Sequence, residues 1–427
     1  MRVHDCLGKA VALALLSVSL SACGNLFSDQ IDAKALGAEA SSDVRAFYQA
    51  RQWQPAWDGK SEKQLADILD GAPLHGLKRE LFLKGEIPKD GDEREAALTR
   101  AALRYASALA TGYSDPKKVN SEVYTLKRPK VDAAAGLSKA LADDRLTEWF
   151  ASLAPQTDEY RLLSQEFARY AKLNGSQGSP EAGERARQIA VNLERLRWLD
   201  RDPPATRIDV NTAAAFLEYR RNGALRDRRN VVVGQPDWET PQLGSPIFQL
   251  VAHPIWRVPD SILEDELKEK SPAYLAEQGI EWRDDRLVQL PGPKNALGEV
   301  KFDMRNDQSI YLHDTPAKAL FGLPERHRSH GCVRVQGALD FAMLLASDDG
   351  VLIPFQEALM KLDEEGFVKL KKEVPVRLMY LTAFLDEGQV RLVDDVYGWD
   401  DDVAYALGYV RRPPHAKVKR EAGDVGP

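Results

Sequence analysis

Cysteine is nearly absent from this 427-residue chain: Cys6, Cys23 and Cys332 are the only three, and no two stand at metal-ligand or Cys-x-x-Cys spacing. Zinc, iron–sulfur and disulfide-framework classes are set aside. Membrane-spanning length is also lacking, since the apolar run Ala10–Leu20 has 11 residues and a crossing helix needs about 20. Positive charge is not in excess. Lys plus Arg number 58 against 65 Asp plus Glu, a net of −7, so no global basic field exists to hold DNA or RNA, and no nucleic-acid partner is expected. What remains is ordinary globular material. Apolar residues make up 44%, charged residues 29% and aromatics 8%, enough for a sizeable core and, at about 150 residues per domain, for two or three domains.

Arg2 and Lys9 precede that apolar run, and Leu20-Ser21-Ala22-Cys23 follows at its end. This is the layout of a secretory signal peptide over 1–22, closing on small residues before a cysteine that resemble a bacterial lipobox. By that resemblance Cys23 is diacylated and becomes a membrane anchor, stable because more than one acyl chain holds it. Gly24 rather than Asp after the cysteine leans towards the outer membrane of a Gram-negative cell, with the inner membrane as the alternative and the periplasm as the compartment. Cys332 is then the sole free thiol in an oxidising space, where unpaired thiols are normally avoided unless used.

Residues 23–40 read as a tether. From 41 to 185 apolar residues recur at helical spacing, as in Leu98, Ala101, Ala102, Tyr105 and Leu109, which predicts a helical domain. Gly175–Pro180 reads as a flexible break, and Ala186–Leu199 as an amphipathic helix leading into a second domain, 186–400. That second half reads as mostly strands. Asn222-Gly223 between two apolar-patterned runs is the strongest short hairpin signal, and further runs follow at Ile247–Ala252, Val300–Met304, Ser309–Leu312, Val376–Ala383 and Gln389–Val393. Ile262–Gln289 interrupts them as a charged, largely helical insertion suited to a lid, and 401–427 reads as a tail, basic from Arg411. The fold class expected is α+β, a helical domain followed by a mostly β domain with a helical lid.

Reactive side chains concentrate between Tyr311 and Arg334, YLHDTPAKALFGLPERHRSHGCVR, which holds His313, His327 and His330 of the seven histidines together with Cys332. A thiol nucleophile needs a nearby base, and the oxyanion it creates needs backbone N–H donors. Ser329-His330-Gly331-Cys332 can supply such donors, with Gly331 permitting close backbone approach. Asp314 adjoins His313 and in a strand faces the opposite way, so a backbone carbonyl is expected to orient His313. His327 reads as a surface residue.

Ser329-His330-Gly331-Cys332-Val333-Arg334, with His313-Asp314-Thr315-Pro316 upstream and His313 placed 19 positions before Cys332, resembles the catalytic motif of the L,D-transpeptidase (YkuD) family. The resemblance extends to Asn192–Trp198, Val231–Asp237, His253–Pro259 and Pro291–Gly298, and more weakly to Phe47–Trp57, and it points to the larger Gram-negative branch. Two features depart from that branch: a peptidoglycan-binding module is expected where only Gly175–Glu184 stands, and His253 occupies a position commonly Asn. The resemblance implies Cys332 as acylated nucleophile and His313 as its base. His330, Gly331 and Cys332 would shape an oxyanion pocket with Tyr311, Ser329 would support the loop, and Arg334 would hold the site or a substrate carboxylate.

The implied activity is a peptidoglycan transpeptidation through a cysteine thioester, with donor and acceptor stem peptides as partners. Amide-to-amide exchange of that kind needs no metal and no organic cofactor. The stem position of the donor and the oligomeric state stay open. Rivals are a cysteine hydrolase trimming crosslinks or attached proteins, a sortase-like transpeptidase, disfavoured because Cys332 and Arg334 lie two apart, and a non-catalytic peptidoglycan-binding scaffold.

Overall fold

The computed structural model describes Ile31 and residues 42–83, 85, 87–119 and 124–410. The signal peptide, Cys23, nearly all of the tether and the basic stretch from Arg411 lie outside the described residues.

The chain opens with helices α1 (Ser42–Ala50), α2 (Gly59–Asp70), α3 (Gly91–Thr111), α4 (Pro116–Val119), α5 (Ala133–Ala142), α6 (Leu146–Leu153), α7 (Asp158–Gln177) and α8 (Pro180–Trp198). Their boundaries follow cap chemistry. Thr157 accepts from the Tyr160 N–H at the start of α7, and Ser179, followed by Pro180, caps α8. Only Gly178 and Ser179 separate α7 from α8, which pack against each other.

From Ile189 to Trp198 helix α8 is buried on every side, although Asn192, Glu194, Arg195 and Arg197 carry polar groups. Each is partnered. Glu194 accepts from the Ser114 N–H at 2.7 Å and pairs with Arg197 at 2.6 Å, while Arg197 also donates to the Tyr160 hydroxyl at 2.7 Å. Asn192 exchanges hydrogen bonds with Thr382, whose hydroxyl reaches Asp400, and Asp400 pairs with Arg195. The Asn192–Trp198 stretch therefore joins the helical half to the β half. Removing one charge of such a buried pair strands the other at a cost of about 3–5 kcal/mol.

The β half comprises β1 (Arg207–Asn211), β2 (Phe216–Arg221), β3 (Ala224–Gly234), β4 (Gly244–Ala252), β5 (Trp256–Arg257), β6 (Ile280–Arg283), β7 (Arg286–Gln289), β8 (Val300–Met304), β9 (Leu312–His313), β10 (His327–Ser329), β11 (Val333–Val335), β12 (Gly366–Met379), β13 (Ala383–Asp386) and β14 (Gln389–Leu392). The main sheet runs β10-β3-β11-β9-β8-β4-β12-β1-β2, and a further β2–β3 pairing closes it on itself. Its interior is filled by side chains such as Ile208, Val231, Leu250, Phe302 and Val333, roofed by Phe341 and Leu345 of α11 (Ala338–Asp349) and Phe355 of α12 (Leu352–Leu359). The expected α+β architecture is thus the observed one.

Several details differ from the sequence reading: α7 runs through residues 175–177, so the expected break is confined to Gly178-Ser179, and of the expected strand Ser309–Leu312 only Leu312 lies in one. The insertion is helical only through α9 (Asp260–Ile262), the π-turn Leu263–Leu267 and α10 (Pro272–Glu277), after which β6 and β7 form a hairpin paired to β5. The reason is Asp284-Asp285, which take φ of 46° and 61°, the left-handed geometry of a tight hairpin turn. Residue 401, where the tail was expected to start, lies within α13 (Trp399–Ala406), which packs on α8 through buried Val403 and Ala404.

Candidate active site

Register places the site. Parallel pairing of β9 with β11 sets Leu312 beside Val333 and His313 beside Arg334. Leu312 and Val333 are fully buried in the sheet interior, so alternation turns Tyr311, His313, Cys332 and Arg334 to the other face. There they line one cavity of about 510 Å3 together with Ser329 and His330. The sequence-expected residues are therefore brought together, except Gly331, which does not line the cavity. Gly331 makes the turn: its φ of 105° is left-handed backbone, closed to most side chains.

The turn is held from behind. Ser329 donates its hydroxyl to the Cys332 carbonyl at 2.6 Å and accepts from the Gly331 N–H at 3.3 Å. Thr240 donates to the Gly331 carbonyl at 2.8 Å and accepts from the Gly234 N–H at 2.9 Å. The Tyr397 hydroxyl donates to the Gly234 carbonyl at 2.6 Å. Thr240 and Tyr397 were not singled out in the sequence, since neither adjoins the motif.

The His313 ring is buried, and its Nδ1–H donates to the Asp314 carbonyl at 2.5 Å, which leaves Nε2 as the proton acceptor. The Asp314 carboxylate points elsewhere, pairing with Lys318 and accepting from the Glu299 N–H at 3.1 Å. Gly298, with φ 62°, lies so close to that carboxylate that a Cβ there would collide with it. This accounts for a glycine at the end of Pro291–Gly298.

Burial first, then the Arg334 charge, pushes His313 down to about 3. Burial likewise pushes the Cys332 thiol up, opposed by hydrogen bonds from Tyr311 and by the charges of Lys301 and Arg334. Tyr311 is raised well above its ordinary value by burial, and buried Arg334 is lowered to about 10. At neutral pH the resting pair is thiol and neutral imidazole. The thiol lies 3.8 Å from the Ser309 carbonyl, a weak contact.

His330 Nε2 lies 2.7 Å from a carboxylate oxygen of Glu266, and its ring meets Trp238 edge-on at 4.8 Å. The insertion supplies further cavity wall through Ile262, Leu263, Trp282 and Leu287. His327 is not a surface residue. It is buried, pairing with Glu325 through Nδ1 at 2.5 Å and with the Thr212 carbonyl through Nε2 at 2.9 Å. His253 is buried away from the cavity, with Nε2 2.9 Å from the Leu359 carbonyl. Among the described residues no group of three or more His, Cys, Asp or Glu could hold a metal ion.

Residues 205–353 match the model of the L,D-transpeptidase catalytic domain (YkuD), and residues 42–167 that of the Scaffold domain. The chain carries the catalytic domain of the L,D-transpeptidase (YkuD) family. A Haemophilus influenzae protein, provisionally named an L,D-transpeptidase, is 27% identical over 310 residues, 67% of this chain and 62% of that protein's length. Among solved structures, the catalytic domain of an E. faecium L,D-transpeptidase acylated by ertapenem is 13% identical, covering 42% of this chain and 99% of that one with a TM-score of 0.23. An L,D-transpeptidase from Mycobacterium smegmatis is 12% identical, covering 41% and 58% with a TM-score of 0.24.

Proposed function

We propose that this family member is a peptidoglycan L,D-transpeptidase working through a Cys332 thioester. The observation that carries the reading is the meeting of Cys332 and His313 on one cavity wall, with Nδ1 of His313 committed to the Asp314 carbonyl. Attack of Sγ on a stem-peptide carbonyl transfers the thiol proton to His313 Nε2, the C–N bond breaks, and the terminal residue leaves as its amine carrying that proton, so that the acyl thioester and neutral His313 remain. An amine of a second stem then attacks that thioester, giving up a proton to His313 Nε2, the C–S bond breaks, and the proton returns to Sγ to regenerate the thiol. The Tyr311 hydroxyl, placed beside Cys332, is the side chain suited to the developing oxyanion, and Arg334 supplies a buried positive charge for it or for a substrate carboxylate.

Incubating purified protein with disaccharide-tetrapeptide and analysing the products by mass spectrometry tests this directly. Crosslinked dimer is the expected product, and its fragmentation identifies the donor position. Trimmed monomer alone would establish a hydrolase, and no product in the presence of folded protein would leave a binding scaffold.

The compartment proposed is the periplasm, with Cys23 as a lipid anchor. No helix among the described residues is long and apolar enough to cross a membrane; the attachment proposed is through that cysteine. Cys23→Ala is expected to release the protein from the membrane fraction or block its processing. An unacylated mature chain starting at another residue would end the lipoprotein reading.

A further inference from the structure

Lys301 stands behind the wall of the active-site cavity. Antiparallel pairing of β8 with β9 sets Lys301 opposite His313, which puts the two side chains on one face of the sheet, yet Lys301 does not line the cavity. Its Nζ lies 4.5 Å from the centre of the Tyr311 ring and 2.6 Å from the Asp303 carboxylate. The first distance is within reach of a cation–π contact. The second follows from strand alternation, since Asp303 comes two residues after Lys301 and shares its face. Gln249 Nε2 donates to the other Asp303 carboxylate oxygen at 2.5 Å and fixes the pair.

Tyr311 connects this pair to the reaction. Its ring meets His313 edge-on at 5.6 Å, its hydroxyl is hydrogen-bonded to Cys332, and it lines the cavity. Beyond burial, which dominates at all three groups, the Asp303 charge raises Tyr311, whereas the Lys301 charge lowers Cys332 and His313. A lone carboxylate behind the tyrosine would oppose the negative charge of a tetrahedral intermediate. The ammonium beside it offsets that field. Resting on the transpeptidase reading of this same site, we propose that Lys301 is a positioning residue for Tyr311, holding the ring by its ammonium and neutralising Asp303, so that the hydroxyl meets the developing oxyanion with no net negative charge behind it. Because Lys301 touches no substrate, it acts on the rate of attack and not on binding.

Lys301→Met keeps most of the stem and removes the charge. In the full chain it is expected to slow thioester formation at saturating carbapenem about tenfold, while the carbapenem concentration giving half the maximal rate changes less than about twofold. Lys301→Arg keeps a cation over the ring and should recover most of the rate. The double variant Lys301→Met/Asp303→Asn removes the stranded carboxylate as well and should be faster than Lys301→Met alone, a result that loss of packing does not produce. In a Tyr311→Phe background Lys301→Met should cost less than about threefold, because the hydroxyl it serves is gone.

Unchanged acylation in Lys301→Met overturns the proposal, as does an undiminished loss in the Tyr311→Phe background or an arginine variant no faster than the methionine one. A second readout needs no turnover. Alkylation of Cys332 by iodoacetamide, followed on its own peptide by mass spectrometry, reports the thiolate. The groups facing that thiol are Tyr311 and His313, His330 in the turn, Lys301 from β8, Arg334 from β11 and, through Arg334, Glu266 of the insertion. The alkylation curve is expected to move to higher pH in Lys301→Met and to stay in place in Lys301→Arg. An unmoved curve in Lys301→Met overturns the placement of the charge. Absence of both carbapenem adduct and crosslinked product in wild type, with the expected alkylation curves, would instead defeat the transpeptidase reading and retain Lys301 as the charge behind Tyr311 and Cys332.

Discussion

Cys332→Ala is expected to take up no carbapenem and to yield no crosslinked muropeptide, a loss on the order of 10⁴-fold or more in turnover. The size follows from covalent catalysis: without Sγ there is no acyl-enzyme, and what survives is binding and polarisation of the carbonyl by the surrounding wall. The fold should hardly notice. Cys332 is only partly buried on the cavity surface, its thiol contact to the Ser309 carbonyl is 3.8 Å, and the turn around it is fixed by backbone bonds to Ser329 and Thr240 that alanine preserves. A stability change under about 1 kcal/mol is expected by urea unfolding. Intact protein mass spectrometry after carbapenem exposure should add one acyl mass to wild type and none to the variant. A mass gain in Cys332→Ala, or residual crosslinking near the wild-type rate, would place the nucleophile elsewhere.

Much of the site was legible because its chemistry is local. Tyr311, His313, Ser329, His330, Cys332 and Arg334 fall within 24 residues, and period-two alternation alone puts Cys332 and Arg334 on one face. The Asn222-Gly223 hairpin was equally plain, since both residues take positive φ, 53° and 85°, which Asn and Gly tolerate best. Three things were hidden. His327 sits in a run that reads as solvated, Glu325-Arg326-His327-Arg328, and its burial depends on distant partners, the Thr212 carbonyl and the Tyr397 ring. The β6–β7 hairpin turns on Asp-Asp, a weaker signal that charged flanks made look helical. Glu266 meets His330 across 64 positions, a pairing no spacing rule encodes. For both histidines the deciding partner came from another element, supplied by tertiary packing rather than by local pattern.

His313→Ala is expected to slow thioester formation by about 100- to 10,000-fold, the usual worth of a positioned base, and to change the shape of the pH profile as well as its height. In wild type, His313 is pushed down to about 3 and the Cys332 thiol is pushed up from 9.0. The dominant pair between those limits is neutral thiol and neutral imidazole, and the proton moves from Sγ to Nε2 only as attack proceeds. Acylation should therefore be flat from about pH 5 to 8. An acid limb near 6.5 would mean an imidazole that titrates at its ordinary value and would refute the assignment. Without His313 the thiol must ionise to solvent before it attacks, so the variant's rate should climb about tenfold per pH unit over the same range.

Stability carries the same signature with a definite sign. The unfolded imidazole binds a proton near 6.5, whereas the folded one, held at about 3 by burial, does not. The contribution is fully present above pH 6.5 and is lost as pH falls towards 3, at about 1.4 kcal/mol per pH unit. His75, pushed down to about 4 by burial, adds a second slope of the same sign. Urea unfolding of wild type and His313→Ala between pH 6 and 4.5 should thus differ in slope by one histidine's share, with the variant flatter. Parallel slopes would show that His313 already carries a proton in the folded enzyme, and the flat acylation profile would have to be abandoned with it.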